Sequence, residues 1–347
     1  MMKEIGGEFW TSPEKTCDKR FFLSGRTSLE YIARDIKRNS FSDSVLLPSY
    51  CCHTMIEPFV RHDFSIRFYD VFYSKERKCI CAELPPHREK EVLFYMSYFG
   101  FSQISGLDLK TLREKYRIII DDRTHSWLRT QSLGAQADYS FTSFRKWGAF
   151  SGISEACKYI GCFSDKAWEK RNDRYISMRD TAFGQKADYI VHGGEKELFL
   201  KLFGEAEMLL EEDYEGYRPS YRVIDMLFST AWEAVRSRRR ENAKILLDGL
   251  TGVKEIVLPF AQIDEGDSPL FVPILVENGR DALRRYLIEH QVYCPVHWPK
   301  SNLHEQISER ASGLYSTELS LVCDQRYGQE EMKRIVSLIV NYYRRGR

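Results

Sequence analysis

The sequence has almost no excess charge of either sign: 51 lysines and arginines stand against 50 aspartates and glutamates, a formal net charge of +1. That balance excludes the global field that recruits nucleic acid or an anionic membrane. Long apolar runs are also missing, and none approaches the about 18 uninterrupted residues of a membrane span. No apolar stretch follows Met1-Met2-Lys3-Glu4, so no secretory leader is expected. The nine cysteines are odd in number and lack the spacing of a secreted disulfide framework, which points to a reducing cytoplasm. Cys79-Ile80-Cys81 and Cys51-Cys52 lack the C-x-x-C pairs of a zinc site and read as small buried hydrophobes. His192, beside Gly193-Gly194, has no ligating companion nearby, so no metal is expected. The run Arg236-Ser237-Arg238-Arg239-Arg240 is expected as a solvated helix face. Internal repeats and low-complexity tracts are absent.

What is present is an alternation of strands and helices. At 347 residues the chain is long enough for one large domain and a smaller one. After a segment containing Gly6-Gly7-Glu8-Phe9-Trp10, the polar run Ser24-Gly25-Arg26-Thr27-Ser28 leads into Leu29, Ile32, Ala33 and Ile36, one helical face. Residues 44–48 form a short apolar strand, 54–60 a helix and 64–69 an alternating strand. Residues 92–96 and 118–120 form further strands, separated by a helical composition over 108–115. This order predicts an α/β fold with a mostly parallel sheet and helices on both faces. From about Arg222 one long helix is expected over 223–250. A strand over 270–276, a helix over 281–289 and a closing helix over 329–343 then suit a small α+β lobe. The expected division is 1–235 for the large domain and 236–347 for the small one.

In such sheets ligands bind beyond the carboxyl ends of the strands, and the chemically suggestive residues lie there. The strand Ile118-Ile119-Ile120-Asp121-Asp122 continues into Arg123-Thr124-His125, and Ser143-Phe144-Arg145-Lys146-Trp147 follows later. A carboxylate at a strand tip, an imidazole just beyond it and a lysine near a hydroxyl are what a pyridoxal phosphate site needs. The lysine forms the Schiff base, the carboxylate keeps the pyridine nitrogen protonated, and the hydroxyl holds phosphate. Phe144 and Trp147 flank Lys146, and an apolar setting lowers a lysine pKa toward reactivity. Arg145 is expected to meet either cofactor phosphate or an acidic neighbour.

The segment 119–125 resembles the strand-end motif I-E-D-A-A-H/Q of DegT-like nucleotide-sugar aminotransferases, which are fold-type-I pyridoxal phosphate enzymes. The resemblance implies that Asp122 pairs with the pyridine nitrogen, that His125 lies near the cofactor's phenolic oxygen, and that Lys146 is the Schiff-base lysine. Gly25-Arg26-Thr27-Ser28-Leu29 resembles the family's G-T-x-A-L turn, whose helix-start amides bind phosphate. Leu47-Pro48-Ser49-Tyr50-Cys51-Cys52-His53-Thr54 resembles its P-S-x-T-x-x-x-T turn. Cys52 stands where the family has the aromatic stacked on the cofactor, with Tyr50 or His53 as alternatives for that face. Met96-Ser97-Tyr98-Phe99-Gly100 takes the place of V-H-L-Y-G, and Pro219-Ser220-Tyr221-Arg222-Val223 resembles the Y-R-M segment. Tyr293-Cys294-Pro295-Val296-His297-Trp298-Pro299 resembles the H-Y-P turn that closes over substrate, which implies substrate contacts from His297 and Trp298.

Two departures stand out. Ser143 and Lys146 have two residues between them where the family has four, and Gly148-Ala149-Phe150-Ser151-Gly152 replaces its G-E-G-G loop. The resemblance implies amino transfer from L-glutamate to a nucleotide-linked keto sugar, as in polysaccharide biosynthesis, by a homodimer. Two alternatives stay open. One is another reaction of the same cofactor: elimination, decarboxylation or acyl transfer. The other is a relative that binds cofactor or sugar nucleotide without turnover. Sugar dehydratases of this family replace the lysine with histidine, so Lys146 argues against that branch.

Overall fold

The apolar face along Leu29, Ile32, Ala33 and Ile36 becomes the buried face of α1 (Gly25–Asn39). Each side chain so buried contributes about 1.5–3 kcal/mol, Ala33 less. Ser24 caps the helix by accepting from the Thr27 amide. The computed structural model describes residues 17–40, 42–102, 104–130, 133 and 136–345. The aromatic and glycine segment 6–10 lies outside them.

α1 packs on a nine-stranded sheet. Its strands are β1 (Asp18–Phe22), β2 (Ser44–Pro48), β3 (Ser65–Ser74), β4 (Cys79–Glu83), β5 (Glu91–Met96), β6 (Ile104–Ser105), β7 (Ile118–Asp122), β8 (Tyr139–Ser143) and β9 (Ser154–Lys158). The order is β1-β9-β8-β7-β5-β2-β3-β4-β6. The middle run β8-β7-β5-β2-β3 is parallel throughout. β1, β9 and β4 join antiparallel. α2 (His53–Arg61) and α3 (Leu109–Lys115) make two of the crossovers, α3 capped by the Asp108 carboxylate. Because the central strands are parallel, the ends of β2, β5, β7 and β8 open on one edge of the sheet, with the start of α1 beside Ser143.

Two helices follow that the sequence pattern leaves unread, α4 (Asp173–His192) and α5 (Glu197–Glu212), packed as a hairpin. Gly193 and Gly194 turn it with φ of 74° and 113°. The single helix expected over 223–250 is two, α6 (Tyr221–Ser229) and α7 (Trp232–Leu250). The break has a local cause. Ser229 and Thr230 hydroxyls both donate to the Met226 carbonyl, at 3.3 and 2.7 Å, and the Trp232 indole donates to the Leu227 carbonyl. These bonds compete with the backbone ladder.

α7 packs against a second, two-stranded antiparallel sheet of β10 (Phe271–Leu275) and β11 (Glu318–Val322). α8 (Arg280–Glu289), α9 (Glu309–Thr317) and α10 (Gln329–Arg345) complete this part. The large-and-small-layer α/β architecture expected from the sequence is therefore present, and the division placed at 235/236 falls inside α7. The basic run on α7 is solvated at Ser237 and Arg238 but turned inward at Arg239, with Arg236 and Arg240 half-buried. Arg239 is buried and donates to the Leu270 carbonyl at 3.0 Å and to Gln325 at 2.9 Å, while Arg240 donates to the carbonyls of Asp264 and Asp267. Arg239 and Arg240 thus supply donors to carbonyls of the 264–270 segment.

All nine cysteines are free thiols. Among the described residues no cluster of metal-ligating side chains occurs and no helix is long and apolar enough to cross a membrane.

Candidate active site

The carboxyl end of β7 fixes the site. Ile119 and Ile120 bury the strand in the sheet, and Asp121 and Asp122 follow at its tip, facing opposite sides by strand alternation. Asp122 is fully buried. Its Oδ1 accepts from the Thr124 amide at 2.8 Å, and its Oδ2 has no hydrogen-bond partner. Burial pushes the Asp122 carboxyl up to about 6, against the Thr124 bonds and the positive charge of Lys146. Asp121 is pushed up to about 7 by burial, with Asp122 adding to the effect and Arg123 opposing it.

Lys146 ends a short 3₁₀ turn, Phe144–Lys146, that follows β8. Phe144 and Trp147 are buried, and the Trp147 indole donates to the Thr124 carbonyl at 2.8 Å. The lysine turn is thereby tied to the Asp122–His125 segment. Solvent reaches the Lys146 side chain. The surrounding protein still removes part of its hydration, and Arg145 repels its charge, so its pKa lies below the ordinary lysine range.

His125 is buried against Phe99, His297 and Trp298, with the Trp298 ring stacked on it at 5.4 Å and 28°. Its Nδ1 accepts from the Phe99 amide at 3.3 Å, which leaves Nε2 to carry the proton. Burial and the charge of Lys146 push the ring down to about 3, so it is neutral. Phe99 and Gly100 have φ of 56° and 84°. A Cβ on Gly100 would meet the Ser268 carbonyl oxygen at 1.9 Å, so the close approach of this loop to the second layer requires glycine.

His297 and Trp298 are both buried at the same place. His297 Nδ1 pairs with the Ser320 hydroxyl at 2.8 Å, and its amide donates to Glu318 at 2.8 Å. Burial pushes Glu318 up to about 7.

The start of α1 lies against β8. A Cβ on Gly25 would stand 3.0 Å from the Ser143 Cβ, so glycine lets the helix start approach this serine closely. The Thr27 amide is taken by Ser24 and the Ser28 amide by the Ser24 carbonyl. The amides of Gly25 and Arg26 are thus the donors that the helix leaves over beside Ser143. The two neighbouring side chains are engaged elsewhere. The Thr27 hydroxyl donates to the Tyr214 carbonyl at 2.8 Å, and the Arg26 guanidinium pairs with Glu211 at 2.6 Å and Glu57 at 3.3 Å.

Cys52 and His53 open α2, both half-buried. The Thr54 hydroxyl donates to the Cys52 sulfur at 3.2 Å, and His53 Nδ1 lies 3.8 Å from it. Burial raises the thiol pKa, but these contacts outweigh it and leave Cys52 below, and His53 above, its ordinary value. Tyr50 is in the core instead, between Tyr98, Trp298 and Tyr315, with its hydroxyl donating to the His297 carbonyl. Of the candidates for the cofactor face, only Cys52 and His53 are reached by solvent.

Lys146, Asp122, His125, His297 and Cys52 lie close enough for the lysine charge to bear on the other four. Two features gave no signal in the sequence. One is the α4–α5 hairpin, whose Glu207 and Glu211 reach Arg145 and Arg26. The other is a groove of about 890 Å³ beside Trp298, where Arg284 and Lys300 flank the Trp298 and Tyr315 rings.

No family model matches the chain, and no curated protein does. Solved structures do. PseC of Helicobacter pylori, an aminotransferase involved in the biosynthesis of pseudoaminic acid, superposes with a TM-score of 0.63 at 12% identity, covering 93% of this chain and 86% of that one. S. venezuelae DesV, solved in complex with a ketimine intermediate, gives 0.61 at 16%, covering 93% and 84%. A DegT DnrJ EryC1 StrS aminotransferase from Brucella abortus gives 0.59 at 14%, covering 93% and 85%. At such identities the likeness is one of fold, and the fold is that of the fold-type-I pyridoxal phosphate enzymes.

Proposed function

We propose that the chain is a pyridoxal phosphate-dependent aminotransferase that passes an amino group from an amino acid such as L-glutamate to a nucleotide-linked keto sugar. The observation that carries this reading is the buried Asp122, with an unpartnered Oδ2, close enough to Lys146 to feel its charge. A buried acceptor without a donor is costly, and a pyridine N–H is a donor that fits it. The unpaired amides at the start of α1, close to Ser143, suit the phosphate, and Lys146 suits the aldehyde.

Bound pyridoxal phosphate supplies an aldehyde that condenses with amines and a ring that takes up electrons from the adjoining carbon. Asp122 would hold the ring nitrogen protonated. Thr124 orients Asp122 through its amide, which donates to Oδ1. The α1 amides and Ser143 would hold the phosphate. Lys146 Nζ would carry the proton from the substrate's α-carbon to the cofactor, and its depressed pKa favours the neutral form that this needs. Neutral His125 offers its Nε2–H to an oxygen. Cys52 with His53 lines the cofactor face, and Trp298 and His297 shield the site from water.

The test is the first half reaction. Cofactor-loaded protein mixed with L-glutamate is expected to lose its visible absorbance band as the cofactor takes the amine. Failure with every common amino donor would favour elimination, decarboxylation, acyl transfer or binding without turnover.

Gly25→Ala, whose methyl group would press the start of α1 away from Ser143, is expected to weaken cofactor retention about tenfold, as read by cofactor titration. The basic groove beside Trp298 supports a phosphate-bearing acceptor. Arg284→Ala combined with Lys300→Ala should raise the acceptor KM roughly tenfold while the glutamate half reaction keeps its rate. Free thiols throughout accord with the proposed cytoplasmic location. Exposed Ile190, Val191, Leu198, Leu200 and Met208 on the α4–α5 hairpin offer apolar area for a homodimer. Sedimentation should find a dimer, and a stable active monomer would contradict that part.

A further inference from the structure

Arg145 precedes Lys146, and α5 decides where its guanidinium goes. Nη1 of Arg145 donates to Glu207 Oε1 at 2.7 Å and to the Tyr175 hydroxyl at 2.9 Å. Nη1 of Arg179, on α4, donates to the same Glu207 Oε1 at 3.0 Å. Arg179 is itself held between the rings of Phe183 and Phe203, each 5.1 Å from its guanidinium. Two guanidinium groups thus share one carboxylate beside the lysine turn, leaving a local excess of one positive charge.

We propose that Glu207 is a positioning residue for Lys146: it pins Arg145 and Arg179 beside the lysine and offsets part of their charge there, so that the balance of the cluster sets the form of the amine. The proposal rests on reading Lys146 as the cofactor-bearing lysine. Two cations near an ammonium favour its neutral form, and the shared carboxylate opposes them, so the cluster acts as a balance of two opposed charges. The other groups that face Lys146 are Asp122, His125 and His297, with Cys52 beside its partner His53. Of these the lowered Cys52 thiol favours the ammonium, and neutral His125 and His297 add no charge. The direction of the Lys146 shift agrees with dominance by burial and Arg145.

A tie that merely anchors the hairpin predicts something else, because loosening it from either side would have the same effect. The test therefore uses opposite signs. Cofactor-free protein is reductively methylated with formaldehyde and cyanoborohydride across pH, and the extent at Lys146 is read by peptide mass, which needs no turnover. Arg145→Met is expected to move the midpoint of Lys146 labelling up by roughly one pH unit, and Glu207→Gln to move it down by a similar amount. The double variant should return close to the parent. Arg179→Met, further from the turn, should shift it upward and serves if Arg145→Met does not fold. Midpoints that move the same way, or do not move while the circular dichroism is native, overturn the proposal. If the parent Lys146 never takes up pyridoxal phosphate but the opposed shifts appear, the functional reading fails and the cluster stands.

Discussion

Asp122→Asn is expected to make the cofactor-free protein more stable and the cofactor-loaded protein useless. The carboxyl titrates at the ordinary 3.8 when unfolded and at about 6 when folded. Between those values the native state keeps a proton that the unfolded chain has released, so stability falls as pH rises from about 4 to about 6 and stays lower above. An amide has no such proton to lose. The variant should therefore gain about 2–3 kcal/mol over the parent at pH 8 and almost nothing at pH 3.5, as read by denaturant midpoints. It should also retain cofactor at least tenfold less well, because an amide does not hold a ring nitrogen protonated. A site that is costly without its ligand and productive with it is the pattern of a functional carboxylate. Equal stability of parent and variant at pH 8 would mean that Asp122 has a partner and that the ring nitrogen has no place there.

Lys146→Ala is expected to cut turnover by a factor of about 10⁴ or more with the fold intact, since the residue serves both as attachment point and as proton carrier. Solvent already reaches this side chain and the turn is held by Phe144, Trp147 and the indole bond to Thr124, so truncation leaves no packed cavity. Its melting temperature should stay within a few degrees of the parent. A variant that unfolds, or one that turns over at the parental rate, would each count against the role assigned to the lysine.

The parts of the fold legible in the sequence are those where one face alone is apolar or a whole strand is. α1 shows its period at Leu29, Ile32, Ala33 and Ile36, and β7 shows itself as three consecutive isoleucines. β1 was unread because Asp18-Lys19-Arg20 puts charge along an edge strand. β8 is hidden because Ser140, Thr142 and Ser143 put hydroxyls where a buried strand is expected to be apolar, and Ser140 finds its partner in Tyr159, 19 residues away. The arginines of α7 look like surface residues in the sequence, since nothing there tells that the carbonyls of 264–270 need donors. Within the site, the strand-end chemistry of Asp122, His125 and Lys146 was legible because spacing along one edge of a parallel sheet is local. Glu207 was not, because it reaches Arg145 across 62 residues from a hairpin with no motif of its own.

The most direct measurement is borohydride reduction of the protein loaded with pyridoxal phosphate, followed by peptide mapping. The cofactor is expected on Lys146 alone, in the peptide that spans Ser143 to Trp147. Cofactor fixed on a different lysine, or retained by the protein with Lys146 unmodified, would contradict the account.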